Sequence, residues 1–145
     1  IMVATIILGW SIGFIYFNWQ PAKIFLGDVG SISIGFLLGV CLLTIASASA
    51  KLFAACVIAA LYYIADGGMT ILIRLVKGER IWGPHLQHFF QKAVRKGHSH
   101  KKVVQRIMKC NILLMLFAVN ALYYPVLSII AAIVIVMVTL IRLVI

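Results

Sequence analysis

Acidic side chains are almost absent from this sequence of 145 residues, with three against thirteen lysines and arginines. Charge of any sign is sparse at 11%, while 64% of residues are hydrophobic and the mean hydropathy is +1.13. A water-soluble domain of this size is excluded, because it would have too little polar surface, so the composition predicts a polytopic membrane protein. The three cysteines lack metal-ligand spacing, and no internal repeat is present. The chain opens on an apolar run with no basic segment before it, and on Ile rather than Met, so we expect no cleavable signal peptide and a piece of a longer protein.

Long apolar segments predict an all-α fold, a polytopic transmembrane helix bundle of about five spans that forms one membrane domain over residues 1–145. Crossing about 30 Å of hydrocarbon takes roughly 17 to 25 residues. The segments that meet this length are Ile1 to Trp19, Ser31 to Ala48, Leu52 to Val76, Ile107 to Tyr124 and Val126 to Ile145.

Basic residues are concentrated in one region: ten of the thirteen lie between Arg74 and Lys109, around a loop at about 77–106. Such a run can indicate nucleic-acid binding. Between membrane spans it more simply indicates a cytoplasmic loop near anionic lipid, and we expect no nucleic-acid partner. Alternation of the spans then puts the turn around Asp28 on the same cytoplasmic face.

Within this loop, a short amphipathic helix is predicted to begin at Pro84 and to stop at Gly97, with Ser99 capping the next helix. His85 and His88, three residues apart, are expected to face one point on it, on a polar face suited to anionic headgroups or a pyrophosphate. An interfacial helix that binds lipid without any chemistry explains the pattern too, and two histidines alone do not predict zinc. Its expected apolar face consists of Leu86, Phe89, Phe90, Ala93 and Val94.

Two of the three acids lie in apolar surroundings. Asp28 is bracketed by Gly27 and Gly30, where we expect a sharp turn whose backbone approaches a ligand closely, a plausible place for a metal held against phosphate. Asp66 falls about two turns inside the third predicted span, so it should face the bundle or an aqueous cavity. Two interpretations of Asp66 stay open: an ion pair with a cation such as Arg74 that fixes helix packing, or a role in a site.

The segment Lys-Ile-Phe-Leu-Gly-Asp-Val-Gly-Ser at 23–31 resembles the motif of the polyprenyl-phosphate N-acetylhexosamine-1-phosphate transferases. These are the glycosyltransferase family 4 group, which includes phospho-MurNAc-pentapeptide transferase. The Asp66 helix, Arg74 to Trp82 and His85 to Ala93 resemble later landmarks of bacterial members. The resemblance covers essentially the whole chain, aligned to the C-terminal half of such an enzyme.

The resemblance implies transfer of a sugar 1-phosphate from a UDP-sugar to polyprenyl phosphate (undecaprenyl phosphate), with Mg²⁺ and release of UMP. It implies cell-envelope polysaccharide synthesis at the cytoplasmic face of a bacterial inner membrane. Asp28 would be the magnesium ligand, since Mg²⁺ is usually held by one or two carboxylates plus substrate phosphates and water. Asp28 and His88 are the implied catalytic residues. The implied substrate-binding residues are Lys23, Gly27, Gly30, Ser31, Arg74, His85 and Lys92.

The sequence departs from the family pattern in two places. Phe89 and Phe90 follow His88, so the His-x-His-His pattern is incomplete, and the paired-aspartate and Asn/Asp-rich motifs of the preceding half are absent from these 145 residues. The chain alone is therefore expected to be inactive. Two other hypotheses stay open: a non-enzymatic helical membrane component, such as a transporter subunit with Asp66 in its pathway, and a degenerate fragment.

Overall fold

The computed structural model describes residues 2–19, 21–83 and 86–145, apart from the side chain of Asp28. This part of the chain is helical almost throughout and contains no strand, which confirms the predicted all-α fold. The helices are α1 (Met2–Asn18), α2 (Gly27–Ala46), α3 (Ala50–Val76), α4 (Phe89–Arg95), α5 (His100–Asn120) and α6 (Pro125–Val144).

Four of these helices are long and apolar enough to cross a membrane, namely α3, α5, α6 and, within α2, Val29–Ala46. The remaining predicted span, the first in the chain, corresponds to α1, which is apolar but has 17 residues, or about 25 Å at 1.5 Å per residue. The chain is thus a multi-pass membrane protein with four helices of full spanning length and one shorter apolar helix in the described ranges.

The observed bounds of α5 differ from the predicted span at both ends. Hydropathy starts the fourth span at Ile107, but α5 begins at His100, because its first turns are basic and are capped by Ser99. The Ser99 hydroxyl accepts the Lys102 N–H at 3.4 Å, which confirms the predicted cap. At the other end, α5 stops at Asn120, and Pro125 occupies the first turn of α6.

The core lies between α3, α5 and α6, with α2 packed on α3 and α4 packed on α6 and α5. Small side chains such as Ala54, Ala118 and Ala132 are buried there. Lipid tails remove most of the hydrophobic drive for helix association, so small residues that allow close packing are what a membrane bundle needs. The larger core side chains are Ile58, Tyr62, Leu114, Val136 and Leu140.

Four helix ends meet at one end of the bundle, which we call the loop end. The Arg106 guanidinium donates to the Arg142 carbonyl at 2.7 Å, and the Lys96 ammonium donates to the Val144 carbonyl, so both cations lie at the negative end of α6. Short turns make α2 with α3, and α5 with α6, antiparallel hairpins. The starts of α2 and α5 and the ends of α3 and α6 therefore share the loop end, in agreement with the predicted alternation.

Candidate functional site

A polar stripe runs along the inward face of α3 towards the loop end. Tyr62, Asp66, Thr70 and Arg74 follow one another at four-residue steps, and all four are buried. Residues at this spacing lie on one face of a helix. Asp66 is only 5% exposed, which confirms that it faces the bundle interior.

The carboxylate of Asp66 contacts the loop rather than another residue of its own helix. Its Oδ1 accepts the Phe89 N–H at 2.8 Å, and its Oδ2 lies 3.6 Å from Nδ1 of His88. The first is a hydrogen bond to a carboxylate, a kind that contributes about 1.5–3 kcal/mol. The second is an ion-pair distance when the imidazole is protonated, and is longer than a hydrogen bond. Asp66 thereby holds the first amide of α4 and lies beside the His88 ring.

The proposed ion pair between Asp66 and Arg74 is wrong. The Nε of Arg74 lies 3.6 Å from Oε2 of Glu79, and its guanidinium donates to the Arg80 carbonyl. The reason is geometric: Arg74 is two turns nearer the loop end, where the chain leaves α3 and folds back over it. Its side chain is 6% exposed, and Nη1 has no hydrogen-bond partner among the described residues.

Glu79 connects the two ends of the loop. The Glu79 N–H donates to the Arg74 carbonyl at 2.9 Å, directly after Gly78 in the left-handed region at φ 69°. Its carboxylate accepts from Nε2 of Gln87 at 2.7 Å. Arg74, Glu79 and Gln87 therefore form one connected group, and this group holds the residue before His88 close to the end of α3.

Helix α4 begins at Phe89, not at Pro84, and Pro84 and His85 lie outside the described residues. Leu86 and Gln87 are not helical. The expectation that His85 and His88 face one point falls on a residue outside the described part of the chain. His88 is the N-cap, and its N–H donates to Oε1 of Gln91 at 3.2 Å. Tertiary contacts set this start, because the Phe89 N–H is used by Asp66 in α3.

The amphipathic character of α4 is confirmed in part. Ala93 is fully buried and Val94 is half-buried against the bundle, whereas Leu86 and Phe90 are exposed. The helix ends as predicted, with Gly97 in the left-handed region at φ 93°.

Aromatic rings hold the polar side chains of α4. Nζ of Lys92 lies 5.2 Å from the centre of the Phe89 ring, a cation–π contact. The His88 ring stacks on Phe90 with a centroid separation of 5.7 Å. Two predicted site residues, His88 and Lys92, thus each contact an aromatic ring at the start of α4.

The segment around Asp28 has a different shape from the predicted turn. Gly27 has φ 62°, so the sharp bend occurs there, but Asp28 and Gly30 belong to the first turn of α2. Gly30 does not bend the chain; a Cβ at this position would collide with the Leu26 side chain. An acid in the first turn is favoured by the helix dipole. The side chain of Asp28 lies outside the described part of the structure.

Before α2 the chain folds back on the end of α1. The Lys23 N–H donates to the Phe17 carbonyl, and the Asn18 side chain donates to the Ile24 carbonyl at 2.7 Å. Lys23 lines a shallow depression with Tyr16 and Trp19. Ser31 lies exposed in the first turns of α2.

The described contacts connect Arg74, His88 and Lys92 with the Asp66 region, whereas Lys23 and Gly27 belong to the segment that starts α2. Among the described residues, no three His, Cys, Asp or Glu side chains gather as a metal site. Sequence reasoning assigned Glu79 no role, and it placed Gln87 on the polar face of the predicted helix without identifying its bond to Glu79. The isolated acid in a basic loop was the available signal for Glu79.

Comparison with known proteins gives concordant results. Residues 1–47 match the family model of glycosyl transferase family 4. Phospho-N-acetylmuramoyl-pentapeptide-transferase of Prochlorococcus marinus (strain MIT 9215) is 33% identical over 77% of this chain and 32% of its own length. The Desulfotalea psychrophila protein of the same name is 33% identical over 80% and 32%, and that of Orientia tsutsugamushi 32% identical over 83% and 32%.

The chain spans about a third of the length of the curated relatives it matches. No solved structure matches the chain significantly. The family model and the relatives together confirm the resemblance predicted from residues 23–31, so the chain is related to glycosyl transferase family 4 and to membrane transferases of that family.

Proposed function

We propose that this chain, a relative of the family 4 glycosyl transferases, is part of a membrane enzyme that transfers a sugar 1-phosphate from a UDP-sugar to polyprenyl phosphate, with release of UMP. In this reaction an oxygen of the lipid phosphate attacks the sugar-bearing phosphorus, and the bond to the UMP oxygen breaks. The proposed location is the cytoplasmic face of a bacterial inner membrane, and the proposed role is cell-envelope polysaccharide synthesis.

The observation that carries the proposal is the contact of Asp66 with His88 and Phe89 at the loop end of the bundle. Phosphoryl transfer depends on positioning and on neutralising developing charge rather than on covalent help from the protein. The Asp66 carboxylate, buried in α3, accepts the first N–H of α4. His88, the N-cap, and Lys92, within α4, therefore lie at the loop end. That is a preorganised donor group close to where a lipid headgroup lies.

The resemblance of residues 23–31 to the family motif supports Asp28 as the ligand of Mg²⁺. The other two acids contact protein groups: Asp66 contacts the Phe89 N–H, and Glu79 contacts the Gln87 and Arg74 side chains. One carboxylate, completed by substrate phosphates and water, matches the way Mg²⁺ is usually bound in proteins. When bound, the ion would neutralise charge on the transferring phosphates.

The remaining predicted residues have distinct roles in this proposal. Arg74 is buried with unsatisfied N–H groups beside the loop and would bind a phosphate oxygen of the donor. Lys92 and His88 would bind the pyrophosphate from α4. Lys23, with Gly27, Gly30 and Ser31, would line the approach to Asp28 at the start of α2, and His85 would belong to the same loop as His88.

A transport pathway through Asp66 is disfavoured by its contacts. A pathway acid needs access to water or to an ion, whereas Asp66 is buried and its Oδ1 is used by the Phe89 N–H. A transporter subunit therefore remains the weaker hypothesis.

The test is UMP release by the native gene product in proteoliposomes that contain undecaprenyl phosphate, with a panel of UDP-sugars and Mg²⁺. Asp28→Asn and His88→Gln are each expected to lower the rate about a hundredfold or more, since removing one electrostatic stabiliser costs that much in other enzymes. Lys51→Gln, at an exposed position on the first turn of α3 and far from the loop end, is the matched control. Equal rates for Asp28→Asn and Lys51→Gln would overturn the assignment.

Residues 1–145 assayed alone are expected to release no UMP above background, because the paired-aspartate motif is absent from them. Turnover by these residues alone would contradict this expectation. If the native gene product is inactive with every donor, the degenerate-fragment hypothesis gains support.

A further inference from the structure

We propose that a groove on the outer surface between α5 and α6 binds the phosphate headgroup of an anionic glycerophospholipid. The groove lies at the loop end of these two helices, away from the Asp66 and His88 contact on α3 and α4. Three cations line it, Arg106, Lys109 and Arg142, and its lining among the described residues includes no acidic side chain. This inference does not depend on the proposed transferase activity.

The cations of the groove converge at one level of the bundle. Arg106 and Lys109 are three residues apart on α5 and so share a face. Arg142 lies in the last turn of α6, and Arg106 Nη1 donates to the Arg142 carbonyl at 2.7 Å, which brings the two helices into register there. Like charges at such spacing repel, so an anion between them lowers the free energy of the group.

Lys109 supplies the strongest argument, because it lies deep along α5 and is exposed. Its backbone is nine residues from His100, about 14 Å along the helix axis. A charge at that depth on a lipid-facing surface is costly unless it is paired or reaches the interface. Side chains of a helix tilt towards its N-terminus, which for α5 is the loop end, and the Lys109 side chain lines the same groove as those of Arg106 and Arg142. Among the described residues, neither the Lys109 ammonium nor the Arg142 guanidinium has a hydrogen-bond or ion-pair partner.

Below the cations the groove becomes apolar. Leu113, Val134 and Val138 line it and are exposed by 43%, 56% and 43%. A phosphate bound among the cations would therefore have acyl chains running along these side chains towards the bilayer centre. Charge at the interface with an apolar track beneath it is the shape of a phospholipid, and basic pockets between helices near the cytoplasmic surface are suited to anionic lipid headgroups.

A second copy of the chain fits the groove poorly. A partner surface would need acidic side chains to neutralise the three cations. Of the three acids in the sequence, Asp66 and Glu79 already bind groups of the same chain. Lipid anions are present at the interface in excess, and they bring their own apolar tails.

The experiment uses the native gene product in mild detergent and measures retained lipid by native mass spectrometry, with phosphatidylglycerol and phosphatidylcholine of identical acyl chains as probes. We expect selective retention of phosphatidylglycerol. The double substitution of Lys109→Gln with Arg142→Gln is expected to reduce that retention about tenfold or more, which corresponds to a loss of about 1.4 kcal/mol of binding free energy. Inorganic phosphate at millimolar concentration should not displace the lipid, because it lacks the acyl chains.

Lys101→Gln combined with Lys51→Gln is the matched control, since it removes the same net charge at exposed positions outside the groove. It should leave retention unchanged. Arg142→Lys should keep most of the retention, and helicity by circular dichroism confirms that each variant is folded. Equal retention of the two lipids, equal loss in the control, or a change in oligomeric mass without loss of lipid would overturn the proposal.

Discussion

Asp66, buried in the middle of α3, accepts the backbone N–H of Phe89 at 2.8 Å across 23 residues of sequence. The bond closes the whole basic loop onto the bundle and sets the first residue of α4. A membrane span thereby determines the position of a loop that the polar composition alone would leave solvated.

Replacement of Asp66 tests this contact directly. Asp66→Ala removes the acceptor of the Phe89 N–H and is expected to cost about 1.5–3 kcal/mol locally. Asp66→Asn keeps an oxygen acceptor and should cost less. Hydrogen exchange of the Phe89 amide provides the measurement, with faster exchange expected in the order Ala, Asn, wild type. Unchanged exchange in Asp66→Ala would contradict the structural assignment.

Gly27 is expected to be intolerant of a side chain. It has φ 62°, so Gly27→Ala should destabilise the protein by about 1–2 kcal/mol, the cost of a left-handed residue with a Cβ. The matched control is Gly35→Ala, inside α2, where a Cβ meets open space. This control should be neutral or stabilising by up to about 1 kcal/mol, because alanine is the better helix former. Unfolding in mixed micelles measures both variants, and equal effects would argue against the bend at Gly27.

Arg74 and Glu79 are expected to be energetically coupled. A double-mutant cycle with Arg74→Gln and Glu79→Gln should give a coupling free energy of about 1 kcal/mol, because one partner is buried and the other is partly exposed. A second cycle pairs Glu79→Gln with Lys77→Gln, a substitution at an exposed neighbouring cation, and should give a coupling free energy near zero. Reversible unfolding supplies the free energies. A similar coupling in both cycles would mean that the 3.6 Å contact contributes nothing specific.

Packing of α6 against the bundle should depend on the small side chain of Ala132. Ala132 is completely buried and Ile133, its neighbour, is 48% exposed. Ala132→Leu is expected to destabilise the bundle by about 1–3 kcal/mol through overpacking. Ile133→Leu, which faces outwards, should change stability little. Thermal unfolding in detergent distinguishes the two, and equal melting temperatures would contradict the observed orientation of α6.

Much of the fold was predictable because one strong signal, the apolar run, determines the helices of a membrane protein. The positions of α3 and α6 followed from it to within two residues at either end. The start of α5 did not, because helix formation continues through His100 to Arg106 where hydropathy falls. The start of α4 did not follow either, because a contact with Asp66, distant in sequence, sets the first helical residue at Phe89.

The candidate site was predictable at the level of residues but not of contacts. An acid inside a span is expensive, so the burial of Asp66 followed from its position alone. Its partner did not, because His88 and Phe89 are separated from it by a loop whose path depends on Glu79 and Gln87. The pairing with Arg74 looked equally good by helical spacing, and the fold of the loop decided against it.

The Asp66 carboxylate has one oxygen on the Phe89 amide and the other near the His88 ring, so two different events meet at a single side chain. A ligand that draws the imidazole away alters the electrostatic field at the oxygen that anchors the short helix. By thermodynamic linkage, anything that loosens this anchor must change affinity for that ligand by the same factor. Ligand binding at His88 and the anchoring of α4 to α3 are therefore coupled through Asp66.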